Sequence, residues 1–180
     1  MKVIFLDRDG VININRPYIN SINKIDFVPG LFEALKILNK NGFSLIIITN
    51  QGGVGLRKIS ESEYFAIQEY VEKKLLLEGI KILKTYYSFF HPKNPDLYKN
   101  HRLYRKPDPG MIEKAISDFG IKREKSFLIG DKMSDIKSGG NSNITSLLIR
   151  NEYSDQDASS SHYNLSFKDI SSAVSYIIES

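Results

Sequence analysis

The sequence predicts an α/β fold, a mostly parallel sheet with helices on both faces. Short β-branched runs alternate with helical patterns along the chain, as when strands are joined by crossover helices. The first run, Val3-Ile4-Phe5-Leu6, is apolar at every position, as strands buried on both faces tend to be. The length of 180 residues fits one domain over 1–180, large enough to fold around its own core without disulfide or metal.

Each element has its own signal. Val3–Leu6 is the first strand. Pro29-Gly30 opens a helix carrying Leu31, Ala34, Leu35 and Leu38 at helical spacing, which stops near Asn41-Gly42. Leu45 to Thr49 is the second strand. Ser60 with Glu63 fits a capping box at the start of the longest helix, which runs to about Glu78-Gly79. Lys84 to Phe90, aromatic and β-prone, is the third strand, and the polar stretch from His91 to Tyr104 reads as a long loop. Pro109 opens a helix through about Phe119, with Gly120 as its stop. Ser126 to Gly130 is a strand, Asp135 to Gly140 a short helix and Thr145 to Ile149 a further strand. The Ser- and Asp-rich stretch 151–164 reads as a mobile loop, and a helix from Lys168 to Ile178 closes the chain.

Composition excludes several function classes. The chain has no cysteine, so a disulfide framework, a thiolate nucleophile and Cys-ligated zinc or iron–sulfur sites are ruled out. That absence fits a cytoplasmic protein. No apolar run approaches the roughly 20 residues of a membrane span, and Asp7 and Arg8 interrupt the N-terminal run too early for a signal peptide. The net charge of +4 and pI of about 9.1 leave nucleic acid open as a partner. However, the Lys and Arg residues are scattered, with no basic helix or aromatic RNA-binding motif.

Four polar clusters fall at predicted strand ends, the edge where open α/β sheets bind ligands. In Asp7-Arg8-Asp9-Gly10, two carboxylates close together resist joint ionisation unless a divalent cation or a shared proton relieves them. An Asp-Gly turn with a surface salt bridge to Arg8 is the plain structural alternative. Thr49-Asn50-Gln51-Gly52-Gly53 offers a hydroxyl, two amides and flexible backbone to an anion, or is simply a Gly-rich connection. In Arg105-Lys106-Pro107, Lys106 can neutralise a phosphate beside a helix N-terminus, although such a pair is often only solvated surface. In Gly130-Asp131-Lys132-Met133-Ser134-Asp135, Asp131 sits where a third carboxylate completes a hard-oxygen magnesium site. Asp135 is either a helix N-cap or a partner behind the ligands.

Taken in order, Asp-x-Asp-Gly, Thr-Asn, Lys-Pro and Gly-Asp resemble the haloacid dehalogenase superfamily of phosphotransferases over about Met1 to Arg150. More narrowly, Phe5 to Asn13, Thr49 to Val54, Arg105 to Met111 and Ile129 to Lys132 are similar to the small D-glycero-D-manno-heptose 1,7-bisphosphate phosphatases. The histidinol-phosphate phosphatases are akin to these. The resemblance implies a Rossmann-like three-layer sandwich. Between the second and third clusters there is room for a helix, a strand and a loop, and no separate cap domain.

The resemblance also implies roles. Asp7 would be the nucleophile that forms an aspartyl-phosphate, and Asp9 the general acid and then base. Mg²⁺ would be held by the Asp7 and Asp131 carboxylates and the Asp9 carbonyl. Thr49 and Lys106 would hold the phosphoryl oxygens. Asn15, Arg16, Pro17 and Tyr18, with Asn50, Gln51 and Gly52, would line the sugar side. Arg105 would recognise the substrate, and Lys132 would brace the acidic cluster or touch a phosphate.

One departure concerns zinc. The family's zinc loop carries a Cys-x-His pair and a Cys-x-Cys pair before Arg-Lys-Pro. Here the corresponding positions are Ser88 and Phe90, then Arg102 and Tyr104. His91 and His101 alone do not make a tetrahedral site, and His162 has no assigned role. No zinc is expected, and Tyr86, Tyr87, Phe89, Phe90 and Tyr104 are expected to hold the loop by packing. The expected protein is a monomeric phosphatase of a small phosphorylated sugar in surface-polysaccharide precursor synthesis, with no nucleic-acid or membrane partner. The alternatives are histidinol-phosphate hydrolysis, a nucleic-acid 3′-phosphatase and a non-catalytic phosphosugar-binding protein.

Overall fold

The computed structural model describes residues 1–150, 152 and 165–180. The expected loop over 151–164, with His162, lies outside the described residues apart from Glu152. The strands are β1 (Val3–Leu6), β2 (Ser44–Asn50), β3 (Ile82–Ser88), β4 (Phe127–Gly130), β5 (Thr145–Ile149) and β6 (Ser166–Phe167). They form one sheet in the order β3-β2-β1-β4-β5-β6, with each neighbouring pair parallel. The helices are α1 (Leu31–Lys40), α2 (Gly52–Gly55), α3 (Glu61–Leu77), α4 (Gly110–Phe119), α5 (Met133–Asn141) and α6 (Ile170–Glu179).

Side-chain alternation along β1 divides the core in two. Ile4 and Leu6 face a cluster built with Leu31, Leu35 and Leu38 of α1, Ile67 and Val71 of α3 and Ala173 and Val174 of α6. Val3 and Phe5 face the opposite cluster, with Met111, Ile112 and Ala115 of α4. All four β1 side chains are fully buried, each contributing roughly 1.5–3 kcal/mol of hydrophobic stabilisation. This explains why the first strand is apolar without alternation. The three-layer parallel sandwich expected from the sequence is therefore observed. Among the described residues, no helix is long and apolar enough to cross a membrane.

Several boundaries differ from the sequence expectation. The third strand ends at Ser88, before Phe90, because the Phe89 N–H leaves the ladder and donates to His101 Nδ1 at 3.2 Å. The stretch read as a loop contains a 3₁₀ segment, Lys99–Tyr104, and the Gly-rich connection forms the short α2. Helix α5 starts at Met133, ahead of Asp135. The Asp135 carboxylate accepts from the Lys132 backbone N–H at 3.0 Å, so it closes the first turn from inside. Helix α6 starts after Asp169, whose carboxylate accepts from the Ser172 N–H at 2.8 Å. The two-residue β6 carried no periodic signal. The capping box at Ser60 and Glu63 and the left-handed stop at Gly120 are present as read.

Candidate active site

The strand order places β1 between β2 and β4. The chain winds outward from β1 to β3 and then returns to β4, so a crevice opens at the carboxyl ends of β1 and β4. Asp7 leaves β1 with its N–H donating to Ile129 O at 3.0 Å. Asp131 follows β4, Thr49 lies near the end of β2, and Lys106 precedes α4. Four separate sequence clusters thus meet at one point.

Lys106 is the centre of this arrangement. Its buried ammonium lies 2.9 Å from Asp7 Oδ1 and 2.6 Å from Asp135 Oδ1, and donates to Ile48 O at 2.9 Å. The ammonium thus forms two ion pairs with carboxylates and one hydrogen bond to a backbone carbonyl. Burial alone would lower the Lys106 pKa, but the Asp135 and Asp7 charges outweigh it and raise the value above its usual range. Asp7 Oδ1 also accepts from the Arg8 backbone N–H at 2.7 Å.

Asp131 is different. It is fully buried, and neither carboxylate oxygen has a hydrogen-bond partner among the described residues. Burial, then the neighbouring Asp7 charge, pushes its pKa up to about 9. One carboxylate oxygen from each of Asp7, Asp131 and Asp135 lies within 4.8 Å of the others. Because Lys106 already occupies Asp135, the unsatisfied charge rests on Asp131 beside Asp7. An all-oxygen donor set with an orphaned buried carboxylate fits a hard divalent cation such as Mg²⁺. Gly10 makes room for it, since at φ +100° a Cβ there would fall 2.1 Å from Asp131 Oδ2. Lys132 is half-buried beside them. The charges of Asp131, Asp7 and Asp135 overcome the effect of that burial and raise its pKa.

Asp9 is held from several sides. Arg8 Nη2 lies 3.1 Å from both carboxylate oxygens, and Arg8 Nε donates to Oδ1 at 3.3 Å. Asn13 Nδ2 donates to Oδ1 at 3.0 Å and Gln51 Nε2 to Oδ2 at 2.7 Å. Gln51 Nε2 also donates to Thr49 Oγ1 at 2.9 Å, which ties Asp9 to the end of β2. Burial pushes the Asp9 carboxyl up, but Arg8 and these amide donors outweigh it and hold it below its ordinary range. The Arg8 salt bridge read as a surface alternative is real but not on the surface. Arg8 is 2% exposed, because the chain turns inward at Gly10 and lays the guanidinium 5.7 Å from the Tyr64 ring centroid.

Two cavities adjoin the crevice. The smaller, about 160 Å³, is lined by Arg8, Asp9, Asn15, Arg16, Tyr18, Asn50, Gln51 and Lys132, among others. Pro17 and Gly52 are not among its lining residues, whereas Gly53 is. The larger, about 690 Å³, is lined by residues including Phe90, Lys99, Arg102, Arg105 and Asp108. Arg105 lines this larger cavity, with its Nη1 close enough to Gly52 that a Cβ there would fall 3.1 Å from it. Asn50 bridges the two regions, donating to Lys106 O and accepting from Lys106 N, both at 3.0 Å.

The family profile described as HAD-hydrolase-like matches residues 103–172. D-glycero-alpha-D-manno-heptose-1,7-bisphosphate 7-phosphatase of Burkholderia mallei is 38% identical over 160 residues, covering 88% of this chain and 82% of the relative. The chain belongs to the haloacid dehalogenase (HAD) superfamily. The Escherichia coli K12 D-glycero-beta-D-manno-heptose-1,7-bisphosphate 7-phosphatase is 32% identical, covering 83% of this chain and 80% of its own. Among solved structures, D,D-heptose 1,7-bisphosphate phosphatase from B. bronchiseptica, complexed with magnesium and phosphate, superposes with a TM-score of 0.84. It is 19% identical and covers 99% of each chain. A HAD-like phosphatase structure from Mesorhizobium loti gives a TM-score of 0.85 at 23% identity, covering 99% of this chain and 85% of its own.

Within this HAD chain, the loop between β3 and Lys106 is packed by aromatic rings. Tyr64, Phe65, Tyr87, Phe89, Tyr98 and His101 stack with centroid distances from 4.7 to 6.1 Å. Ser88 Oγ donates to His101 O at 2.9 Å. Tyr86, expected in this cluster, lies on the other face with Met111 and Ile112, and its hydroxyl donates to Asp118 at 2.6 Å. The reason is strand alternation: Tyr86 and Tyr87 are adjacent in β3 and point to opposite faces. Tyr104 also packs on the Tyr86 side. The sequence motifs gave no role at the candidate site to Arg8, Asn13 or Tyr64, which the structure places beside Asp9. The i, i+4 spacing of Asp9 and Asn13 across a Gly turn was the available signal for Asn13.

Proposed function

We propose that the chain is a Mg²⁺-dependent phosphatase that removes the 7-phosphate of D-glycero-D-manno-heptose 1,7-bisphosphate, with residues 1–180 as one catalytic domain. The observation that carries this reading is the pairing of a Lys106-bound Asp7 carboxylate with an unpartnered buried Asp131. The names of the similar proteins supply the substrate. A cytoplasmic, monomeric enzyme is the simplest form of this reading, and the absence of cysteine is consistent with it.

In this mechanism, Asp7 Oδ1 is occupied by the Arg8 N–H and Lys106, which leaves Oδ2 to attack phosphorus. As the bond from phosphorus to the sugar oxygen breaks, Asp9 gives that oxygen a proton. The incoming phosphate dianion opposes the field of Arg8 and so raises the proton affinity of Asp9. Asp9 then takes a proton from the water that attacks the aspartyl-phosphate. Lys106 and the Thr49 hydroxyl hold the phosphoryl oxygens. The Asp7 and Asp131 carboxylates and the Asp9 carbonyl would hold Mg²⁺, which would supply charge neutralisation between nucleophile and phosphate. Lys132 braces the acidic cluster, and Asn15, Arg16, Tyr18, Asn50 and Gln51 face the sugar. Pro17 and Gly52 shape the loops that carry these side chains, and Arg105 meets the rest of the substrate from the larger cavity.

Phosphate release should be measured with heptose 1,7-bisphosphate, histidinol phosphate and a 3′-phosphorylated oligonucleotide, with Mg²⁺ and after EDTA. Fastest turnover of the heptose, lost with EDTA and absent in a folded Asp7→Asn protein, is expected. Preference for either other substrate would replace this assignment. Full activity in Asp7→Asn would remove the covalent route.

A further inference from the structure

The Arg8 side chain neither gives nor takes a proton in the scheme above, yet it is among the largest fully buried side chains of the described residues. We propose that Arg8 is a positioning residue that holds the Asp9 carboxyl in register for both of its proton transfers. This rests on the reading of Asp9 as acid and base, and not on the identity of the sugar.

Several observations lead there. The Arg8 guanidinium grips Asp9 from beneath through Nε and Nη2, with Nη2 3.1 Å from each oxygen. A planar fork of this kind restricts a carboxylate in both direction and tilt, which a point charge cannot do. The Asp9 side chain retains 17% exposure against 2% for Arg8, and both residues line the smaller cavity. The fork is itself fixed. Arg8 lies against the Tyr64 ring at 5.7 Å, and Tyr64 packs edge-on to Phe89 at 5.0 Å. Nη1 remains buried without a hydrogen-bond partner among the described residues. A guanidinium kept only to stabilise the fold would be expected to satisfy that donor, because a buried unpaired N–H is costly. The carboxylate is held from its other sides by Asn13 and Gln51, whose remaining amide hydrogens go to Ile14 O and Thr49 Oγ1. Of the groups around Asp9, Arg8 alone contacts both oxygens.

The test uses the dependence of the reaction on its leaving group. An alkyl phosphate, such as a sugar phosphate that the wild type turns over, needs a proton on its departing oxygen. p-Nitrophenyl phosphate does not. Arg8→Met fills the slot against Tyr64 without charge, and Arg8→Lys keeps the charge without the fork. For both variants, kcat/KM on the alkyl phosphate should fall by about 10²-fold while kcat/KM on p-nitrophenyl phosphate stays within about threefold, since general acid help is worth about 10²–10⁴. Because Asp9 also activates water, the same variants should show a stoichiometric burst of p-nitrophenolate that the wild type lacks. Equal losses on the two esters without a burst would show that Arg8 serves folding, and unchanged values on both would show that it serves nothing in the reaction. Either result overturns the proposal. Failure of the heptose assignment would instead appear in the wild type, as the wrong preferred alkyl phosphate.

Discussion

Lys106 Nζ lies 2.9 Å from Asp7 Oδ1, and the two side chains are 1% and 7% exposed. They come from opposite ends of the sheet's winding, one at the tip of β1 and the other on the segment entering α4. The pair therefore clamps the crevice and also sets the charge of the site. Lys106→Met would leave Asp7 and Asp135 buried without their cation. Metal-free protein should lose about 3–5 kcal/mol in a urea titration, the usual consequence of removing one partner of a buried pair. Added Mg²⁺ should recover part of that loss. Turnover should fall by roughly 10²–10³, as when one oxyanion donor is removed. A variant as stable as wild type would contradict the clamp.

Asp131 predicts an unusual pH dependence. Its folded pKa of about 9 lies above the unfolded value of about 3.9. The stability this group contributes is thus fully present below about pH 4 and is lost as pH rises toward about 9, since the unfolded state binds fewer protons across that window. Metal-free wild type should lose stability between about pH 6 and 8.5, by up to about 1 kcal/mol per pH unit. Asp131→Asn should reduce that slope and remove the stabilisation by Mg²⁺, which in wild type should strengthen as pH rises. Superimposable stability curves for the two proteins would exclude the assignment.

Arg105 donates to Phe90 O at 3.0 Å and lines the larger cavity. Arg105→Ala should therefore raise KM for a bisphosphorylated sugar about tenfold or more, in line with a lost charge-assisted contact of about 1.5–3 kcal/mol. The effect on a small monophosphate ester should be slight. Equal effects on both would place Arg105 in chemistry or folding.

The aromatic loop predicts a protein without stoichiometric zinc. The His101 Nδ1 accepts from the Phe89 N–H at 3.2 Å, and burial lowers its pKa, so the neutral ring acts as a hydrogen-bond acceptor within the aromatic stack. A zinc-selective chelator should leave Tm unchanged, while His101→Ala should cost about 1–3 kcal/mol by leaving a buried N–H unpaired. One zinc per chain by metal analysis, lost in that variant, would refute this account.

Much of the fold was legible locally. The uninterrupted apolar run of β1, the Ser60 to Glu63 box and the stop at Gly120 each act through their own neighbours, and each was found as read. The ends of β3 and α5 were not, because His101 and the Asp135 carboxylate, which set them, contact backbone whose position depends on the folded chain. The same division runs through the site. The candidate residues were legible in the sequence alone: Asp7, Asp9, Thr49 and Asp131 stand in motifs at strand ends, and Lys106 in one just ahead of α4. Tertiary structure alone decided how charge is shared among them. Lys106 pairs with Asp7 and Asp135 while Asp131 is left unpartnered, and Arg8 turns inward to hold Asp9. Motif spacing places a carboxylate at an edge, but its ionisation depends on burial and on charges a few ångströms away, which only the packed sheet brings together.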